Sequence, residues 1–212
     1  MTLLYCYDAY CGWCYGFSDV MKGINSAYKG ILAIEVISGG MILPKTPVHI
    51  AATASYIEKA YKDVEHLTGV KFGEDYLWHI KNPHQSDWYP NSEKPAIAMC
   101  IFKEYLPTQQ VSFAADLQYA LHYEGRDLTD DQAYRHIIEK YNLPSEEFYS
   151  KLYDQFYNAE AYAEFDLCKS LQVDAFPAVL LQLNEAKFHL LARGYTDFDT
   201  LNSRIKVVLS SY

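Results

Sequence analysis

Two cysteines separated by two residues, Cys11-Gly12-Trp13-Cys14, are the side chains best placed by type and spacing to do chemistry. Such a pair can hold a metal or cycle between dithiol and disulfide. Its surroundings favour the second. Residues 2–7 form a short apolar run of strand length, and Asp8-Ala9-Tyr10 reads as a loop. From Trp13 onward, Phe17, Val20, Met21, Ile24 and Tyr28 recur at helical spacing, with Gly30 as the expected stop. The pair therefore lies where a strand gives way to a helix N-terminus. The first helical turn presents unpaired amides and a positive dipole end, and both favour a thiolate over a thiol. Cys11, at the edge, is the expected nucleophile. Cys14, one turn further in, is the expected resolving thiol, which attacks the Cys11 sulfur of a mixed disulfide. Gly12 leaves Cys11 approachable. Trp13 adds a large uncharged ring that cannot stabilise the thiolate as a cationic His would. Asp8, three residues earlier, either holds the loop by hydrogen bonding or moves a proton.

A structural zinc site needs about four ligands. The sequence has no second Cys-x-x-Cys and its seven histidines are dispersed, so no metal is expected. Cys6, Cys100 and Cys168 stand apart in apolar surroundings and read as small core residues. Five cysteines, an odd number, make a poor disulfide framework and fit a reducing compartment.

The elements that must position the pair follow from periodicity. A second apolar run, residues 31–37, ends at Gly39-Gly40, so the chain opens β-α-β, the unit of a parallel strand pair. From Pro44 to about Val173 helical patterns dominate. Helices are expected at 48–67, from 91 to Pro107, at 109–123, after Thr129-Asp130-Asp131-Gln132 read as a capping box, from Pro144 through Phe156, and at 159–171. The stretch 78–91, with Trp78, Trp88 and Tyr89, reads as loop, its aromatics serving packing before any cleft. Strand signals return at 178–181 and 188–192 around an Asn184–Lys187 turn, and 197–209 reads as a terminal amphipathic helix. This is an α/β chain: a thioredoxin-like core formed by 1–43 and 174–212, with a large all-helical insertion over 44–173. In that core a proline before the third strand is usually cis and lies beside the cysteines, which assigns Phe176-Pro177 to the docking edge for an extended substrate.

The segment Asp8-Ala9-Tyr10-Cys11-Gly12-Trp13-Cys14-Tyr15-Gly16-Phe17 resembles the active-site segment of the DsbA-like thioredoxin family, and within it the cytosolic FrnE-like branch. Val173-Asp174-Ala175-Phe176-Pro177 is similar to the family's Val-x-Gly-x-Pro loop, with Ala175 in place of the usual Gly, and Gly39-Gly40-Met41 also fits that branch. The resemblance implies protein-disulfide oxidoreductase or isomerase activity at Cys11 and Cys14. Gly12, Trp13, Phe176 and Pro177 would contact substrate. No dissociable cofactor is implied, with glutathione as a reductant or co-substrate. Substrates would be protein or small-molecule thiols and disulfides.

Two other functions share features with this reading. Kappa-class glutathione transferases and hydroxychromene-carboxylate isomerases share the helical-insertion architecture but generally lack the full cysteine pair, so keeping both Cys11 and Cys14 argues against them. A peptide-binding chaperone module would bind without turning over. With 18 Lys and Arg against 27 Asp and Glu, a net charge of −9 and no basic cluster, neither nucleic acid nor an anionic membrane is an expected partner. The first residues carry no basic region or long apolar run of a secretory signal, and no apolar run approaches a membrane span, so a cytoplasmic location is expected.

Overall fold

The computed structural model describes residues 1–211. Four strands form one sheet in the order β2-β1-β3-β4. They are β1 (Thr2–Tyr7), β2 (Ala33–Ser38), β3 (Ala178–Asn184) and β4 (Lys187–Arg193). β1 pairs parallel with β2, with Tyr5 opposite Val36, and antiparallel with β3, with Tyr5 opposite Val179. The crossover between β1 and β2 is α1 (Gly12–Ala27), which ends three residues before Gly30, whose φ is +77°.

β1 is apolar and buried from Leu3 to Tyr7 because both faces are covered. Leu3, Tyr5 and Tyr7 enter the main core, while Leu4 and Cys6 enter a smaller cluster with Ile37, Cys168, Ala178 and Leu180 on the other face. Seven helices lie between β2 and β3: α2 (Ala54–Thr68), α3 (Glu74–Lys81), α4 (Glu93–Tyr105), α5 (Gln110–His122), α6 (Arg135–Lys140), α7 (Ser145–Lys151) and α8 (Gln155–Ser170). One continuous core runs from the sheet through α1 into these helices. They also close the β2 edge: Gln110 Oε1 accepts from the Val36 amide at 2.9 Å and Glu164 Oε2 from the Ser38 amide at 2.7 Å. An edge strand whose amides are taken by side chains cannot pair with another chain there. The terminal helix α9 (Phe198–Leu209) is capped by Asp197, whose carboxylate accepts from the Thr200 amide at 2.9 Å.

Several expected boundaries move. Part of the stretch read as loop is α3, a two-turn helix that buries Tyr76, Leu77 and Ile80. It is too short to show a period. The helix expected to run through Phe156 breaks after Lys151. Asp154 caps a new helix by accepting from the Phe156 amide at 2.9 Å, and Phe156 is left exposed. The helix expected from residue 48 begins with a single tight turn at Ile50–Ala52 and becomes regular at Ala54. The cap near residue 130 is Asp130 and not Thr129, because the Asp130 carboxylate accepts from the Gln132 amide at 2.9 Å.

Candidate active site

Cys11 occupies the N-cap of α1 with extended backbone, φ −81° and ψ 108°. The preceding turn is closed by the Cys11 amide, which donates to the Asp8 carbonyl at 3.1 Å. The position usually held by Ser, Thr, Asp or Asn is thus held by a thiol. Its sulfur accepts from the Cys14 amide at 3.3 Å and donates to the Phe176 carbonyl at 3.5 Å. Residues 165 positions apart in the chain meet at this sulfur. Cys11 is 6% exposed and Cys14 fully buried. Burial pushes the Cys14 thiol well up, and the adjacent Cys11 sulfur adds to it. Cys14 is therefore a thiol that is hard to reach and hard to ionise.

The Phe176–Pro177 bond is cis, as read from the sequence. Pro177 is buried at the start of β3, and its carbonyl accepts from the Gly194 amide at 2.7 Å. The Phe176 ring lies over Gly39, where a Cβ would collide with it. That close approach gives Gly39 its reason. Gly12 and Trp13 are half-buried beside Cys11, and all six residues assigned to the site from sequence come together at this end of the sheet.

Asp8 holds the loop in front of Cys11. Its Oδ1 accepts from the Tyr10 amide at 2.9 Å and the Ser92 hydroxyl at 3.0 Å, and its Oδ2 from the Met41 amide at 2.7 Å. Ser92 Oγ in turn accepts from the Ile42 amide at 3.0 Å. One buried carboxylate thus ties together the β1–α1 loop, the segment after β2 and the start of α4. Burial raises its pKa against the pull of these donors. From α5, Gln118 Nε2 donates to the Asp8 carbonyl at 3.3 Å, and its Oε1 accepts from the Ser18 hydroxyl at 2.9 Å. His122, one turn on, is fully buried and stacks on Tyr15 with ring centroids 5.1 Å apart and planes within 5°. Its Nδ1 lies 3.1 Å from the Gln118 carbonyl, an acceptor, so Nδ1 carries the proton. Burial lowers its pKa to about 4, so the ring is neutral near pH 7.

A cleft of about 370 Å³ opens beside Cys11. Trp13, Phe72 and Phe176 line it, together with Tyr56, Ile57 and Tyr61 of α2, and Tyr61 packs edge-on against Phe72 with ring centroids 5.7 Å apart. The sequence pattern marked α2 as a helix but did not tell which side chains would face the cysteines. Gln118 and Ser92 were also missed. The one available signal for Gln118 was a polar residue inside an otherwise apolar helical run. Trp78, Trp88 and Tyr89 do not line the cleft: Trp88 is buried against His79 at 3.9 Å between centroids, while Trp78 and Tyr89 are exposed.

The other three cysteines lie elsewhere. Cys6 and Cys168 face each other in the smaller cluster behind the sheet, and Cys168 donates to the Ser38 carbonyl at 3.7 Å. Cys100 is half-buried on α4, where burial raises its pKa, with Glu164 adding to it. Among the described residues, no group of three or more His, Cys, Asp and Glu is placed to hold a metal.

A β-α-β unit and a β-hairpin in one sheet, with a Cys-x-x-Cys helix start facing a cis-proline loop, define a thioredoxin-like fold, here with a helical insertion. Solved structures share this fold over the whole chain. A candidate protein disulfide isomerase from Nitrosomonas europaea superposes with a TM-score of 0.87 at 19% identity, covering 100% of this chain and 98% of that one. The cytosolic disulfide reductase DsbM from Pseudomonas aeruginosa gives 0.78 at 23% identity, covering 100% of both chains. The same protein with GSH gives 0.76 at 24%, covering 99% of this chain and 100% of that one. A 2-hydroxychromene-2-carboxylate isomerase gives 0.64 at 12%, covering 100% of this chain and 94% of that one. At these identities the likeness is one of fold. No family model and no curated protein matches the sequence.

Proposed function

We propose that the protein is a thiol–disulfide oxidoreductase or isomerase in which Cys11 attacks and Cys14 resolves. The observation that carries this reading is the Cys11 sulfur itself, which caps α1, accepts the Cys14 amide and faces the Phe176 carbonyl. In the reducing direction the Cys11 thiolate attacks one sulfur of a substrate disulfide. A Cys11–substrate disulfide forms and the first substrate thiol leaves. Cys14 then attacks the Cys11 sulfur, forming the Cys11–Cys14 disulfide and releasing the second thiol. Substrate gains two electrons and the dithiol loses them. The Cys14 amide donates to the Cys11 sulfur, the atom at which both exchanges take place. Glutathione or a thioredoxin-type donor would restore the dithiol. Gly12, Trp13 and Phe176 would form the contact surface around the sulfur, with the buried Pro177 fixing the chain next to Phe176.

A cytoplasmic setting fits this chemistry and matches the neighbour DsbM, described as cytosolic. Among the described residues no helix is long and apolar enough to cross a membrane. The reading is tested by trapping. Cys14→Ser incubated with a disulfide substrate should accumulate a mixed disulfide at Cys11, visible by mass spectrometry, and Cys11→Ser should accumulate none. No adduct in either variant rejects the mechanism. The fold shared with a 2-hydroxychromene-2-carboxylate isomerase supports a second reading, a glutathione-dependent isomerase or transferase. Full activity retained by Cys14→Ser on a non-disulfide substrate would favour it.

A further inference from the structure

The cleft beside Cys11 is closed to charge. None of the side chains lining it is Asp, Glu, Lys, Arg or His. Its lining includes Trp13, Phe72 and Phe176 together with Tyr56, Ile57 and Tyr61 of α2. Apolar surface continues outward at the rim, where Met41 is 46% and Tyr56 69% exposed. Exposed apolar groups clustered at the mouth of a reactive site mark a binding surface. The nucleophile lies at the bottom, only 6% exposed.

Resting on the oxidoreductase reading above, we propose that this cleft selects small disulfides that carry an apolar or aromatic group next to the sulfur. Three physical arguments converge. A volume of about 370 Å³ accepts a compact substituent, and Cys11, only 6% exposed, is reached more readily by a small disulfide than by one inside a folded protein. An apolar group entering the cleft leaves water for aromatic and aliphatic walls. Glutathione disulfide would bring carboxylates and ammonium groups to a lining with no charge to receive them, and charges desolvated without partners are costly. The selecting wall is α2, an element of the insertion, so discrimination and chemistry come from different parts of the chain. The exchange is the one written above: the small disulfide is reduced to two thiols, which take up the two protons, and Cys11 and Cys14 end as a disulfide.

The test uses the reduced full-length protein in single turnovers with disulfides of matched thiol chemistry. These are the symmetrical disulfides of acetylated, amidated Cys-Phe, Cys-Ala and Cys-Glu dipeptides, together with glutathione disulfide and insulin. Each rate is divided by that of a free monothiol with the same disulfide. The Cys-Phe disulfide should exceed the Cys-Glu disulfide and glutathione disulfide by about tenfold or more, the scale expected for burying an aromatic ring. Insulin should be slowest. Tyr56→Lys, at an exposed rim position, should lower the Cys-Phe rate and raise the Cys-Glu rate. Equal normalised rates for Cys-Phe and Cys-Glu, or glutathione disulfide or insulin matching Cys-Phe, would overturn the selectivity while leaving the oxidoreductase intact. Failure of every disulfide to produce a Cys11–Cys14 bond would instead remove the reading on which it rests.

Discussion

His122 supplies a stability test whose size follows from its burial. The ring is enclosed by Tyr15, by Phe72 edge-on at 5.4 Å and by Tyr76 at 5.1 Å, and it has no exposed surface. Burial lowers its pKa from 6.5 to about 4. Between those values the unfolded chain binds a proton that the folded chain refuses, so stability falls as pH falls. The contribution is fully present above pH 6.5 and is lost by about pH 4. At about 1.4 kcal/mol for each tenfold change in proton affinity, the loss is about 3 kcal/mol. His122→Phe keeps an aromatic ring among its neighbours and removes the titration. Urea unfolding of both proteins from pH 4 to pH 8 measures the difference, and the titrations of all other groups cancel in the comparison. Above pH 7 the two curves should run parallel. Below it the wild type should lose about 3 kcal/mol relative to the variant. Curves parallel down to pH 4, or an imidazole that titrates near pH 6.5 by NMR, would refute the reasoning.

Asp8→Ala removes the acceptor for three donors, the Tyr10 and Met41 amides and the Ser92 hydroxyl. At about 1–3 kcal/mol each, offset by relief of the buried carboxylate, the net loss in urea unfolding should be about 3 kcal/mol, and a loss below about 1 kcal/mol would contradict the network. Because burial raises the Asp8 pKa, its share of stability is full below the unfolded value and is lost as pH rises through the folded one. Wild type should therefore lose ground to Asp8→Asn as pH increases. In the reduced protein, iodoacetamide should modify Cys11 at least about tenfold faster than Cys14, as peptide mapping would show, since Cys14 is fully buried with a raised pKa. Equal rates would sink the assigned roles. Gly39→Ala should push the Phe176 ring away, costing about 1–3 kcal/mol and uncovering Cys11 to faster alkylation, and unchanged stability and rate would refute that contact.

Legibility in the sequence divides along physical lines. β1, β2 and the β3–β4 hairpin are short apolar runs bounded by turn residues, and α1 and α9 have one strongly apolar face, so the two ends of the chain could be read directly. Cys11, Cys14 and Pro177 announce themselves because a thiol pair at a helix start and a proline before a strand have few alternative uses. α3 escaped because two turns show no period. The break between α7 and α8 escaped because Asp154 caps through a side-chain bond that leaves the apolar spacing unbroken. The cleft wall was unreadable for another reason. Tyr56, Ile57 and Tyr61 look like any amphipathic helix face, and only the packing of α2 against α1 turns them toward Cys11. At Gly16, where a Cβ would lie 2.8 Å from Thr68 and 2.9 Å from Val64, the absence of a side chain lets these helices approach. For Asp8 the sequence allows loop-holding or proton transfer. Its hydrogen bonds show the first, and its partners from residues 41 and 92 lie too far along the chain to be foreseen.

The central claim is that Cys11 and Cys14 form one reversible two-electron couple. It is tested most directly by equilibrating the purified protein in glutathione buffers of graded potential and reading both cysteines by mass-shift alkylation. The account predicts a single transition in which the two sulfurs change together, absent in Cys11→Ser. The midpoint would place the protein toward reductants, at roughly −270 mV, or toward oxidants, at roughly −120 mV. If Cys11 and Cys14 remain separate thiols across that whole range, the account is contradicted.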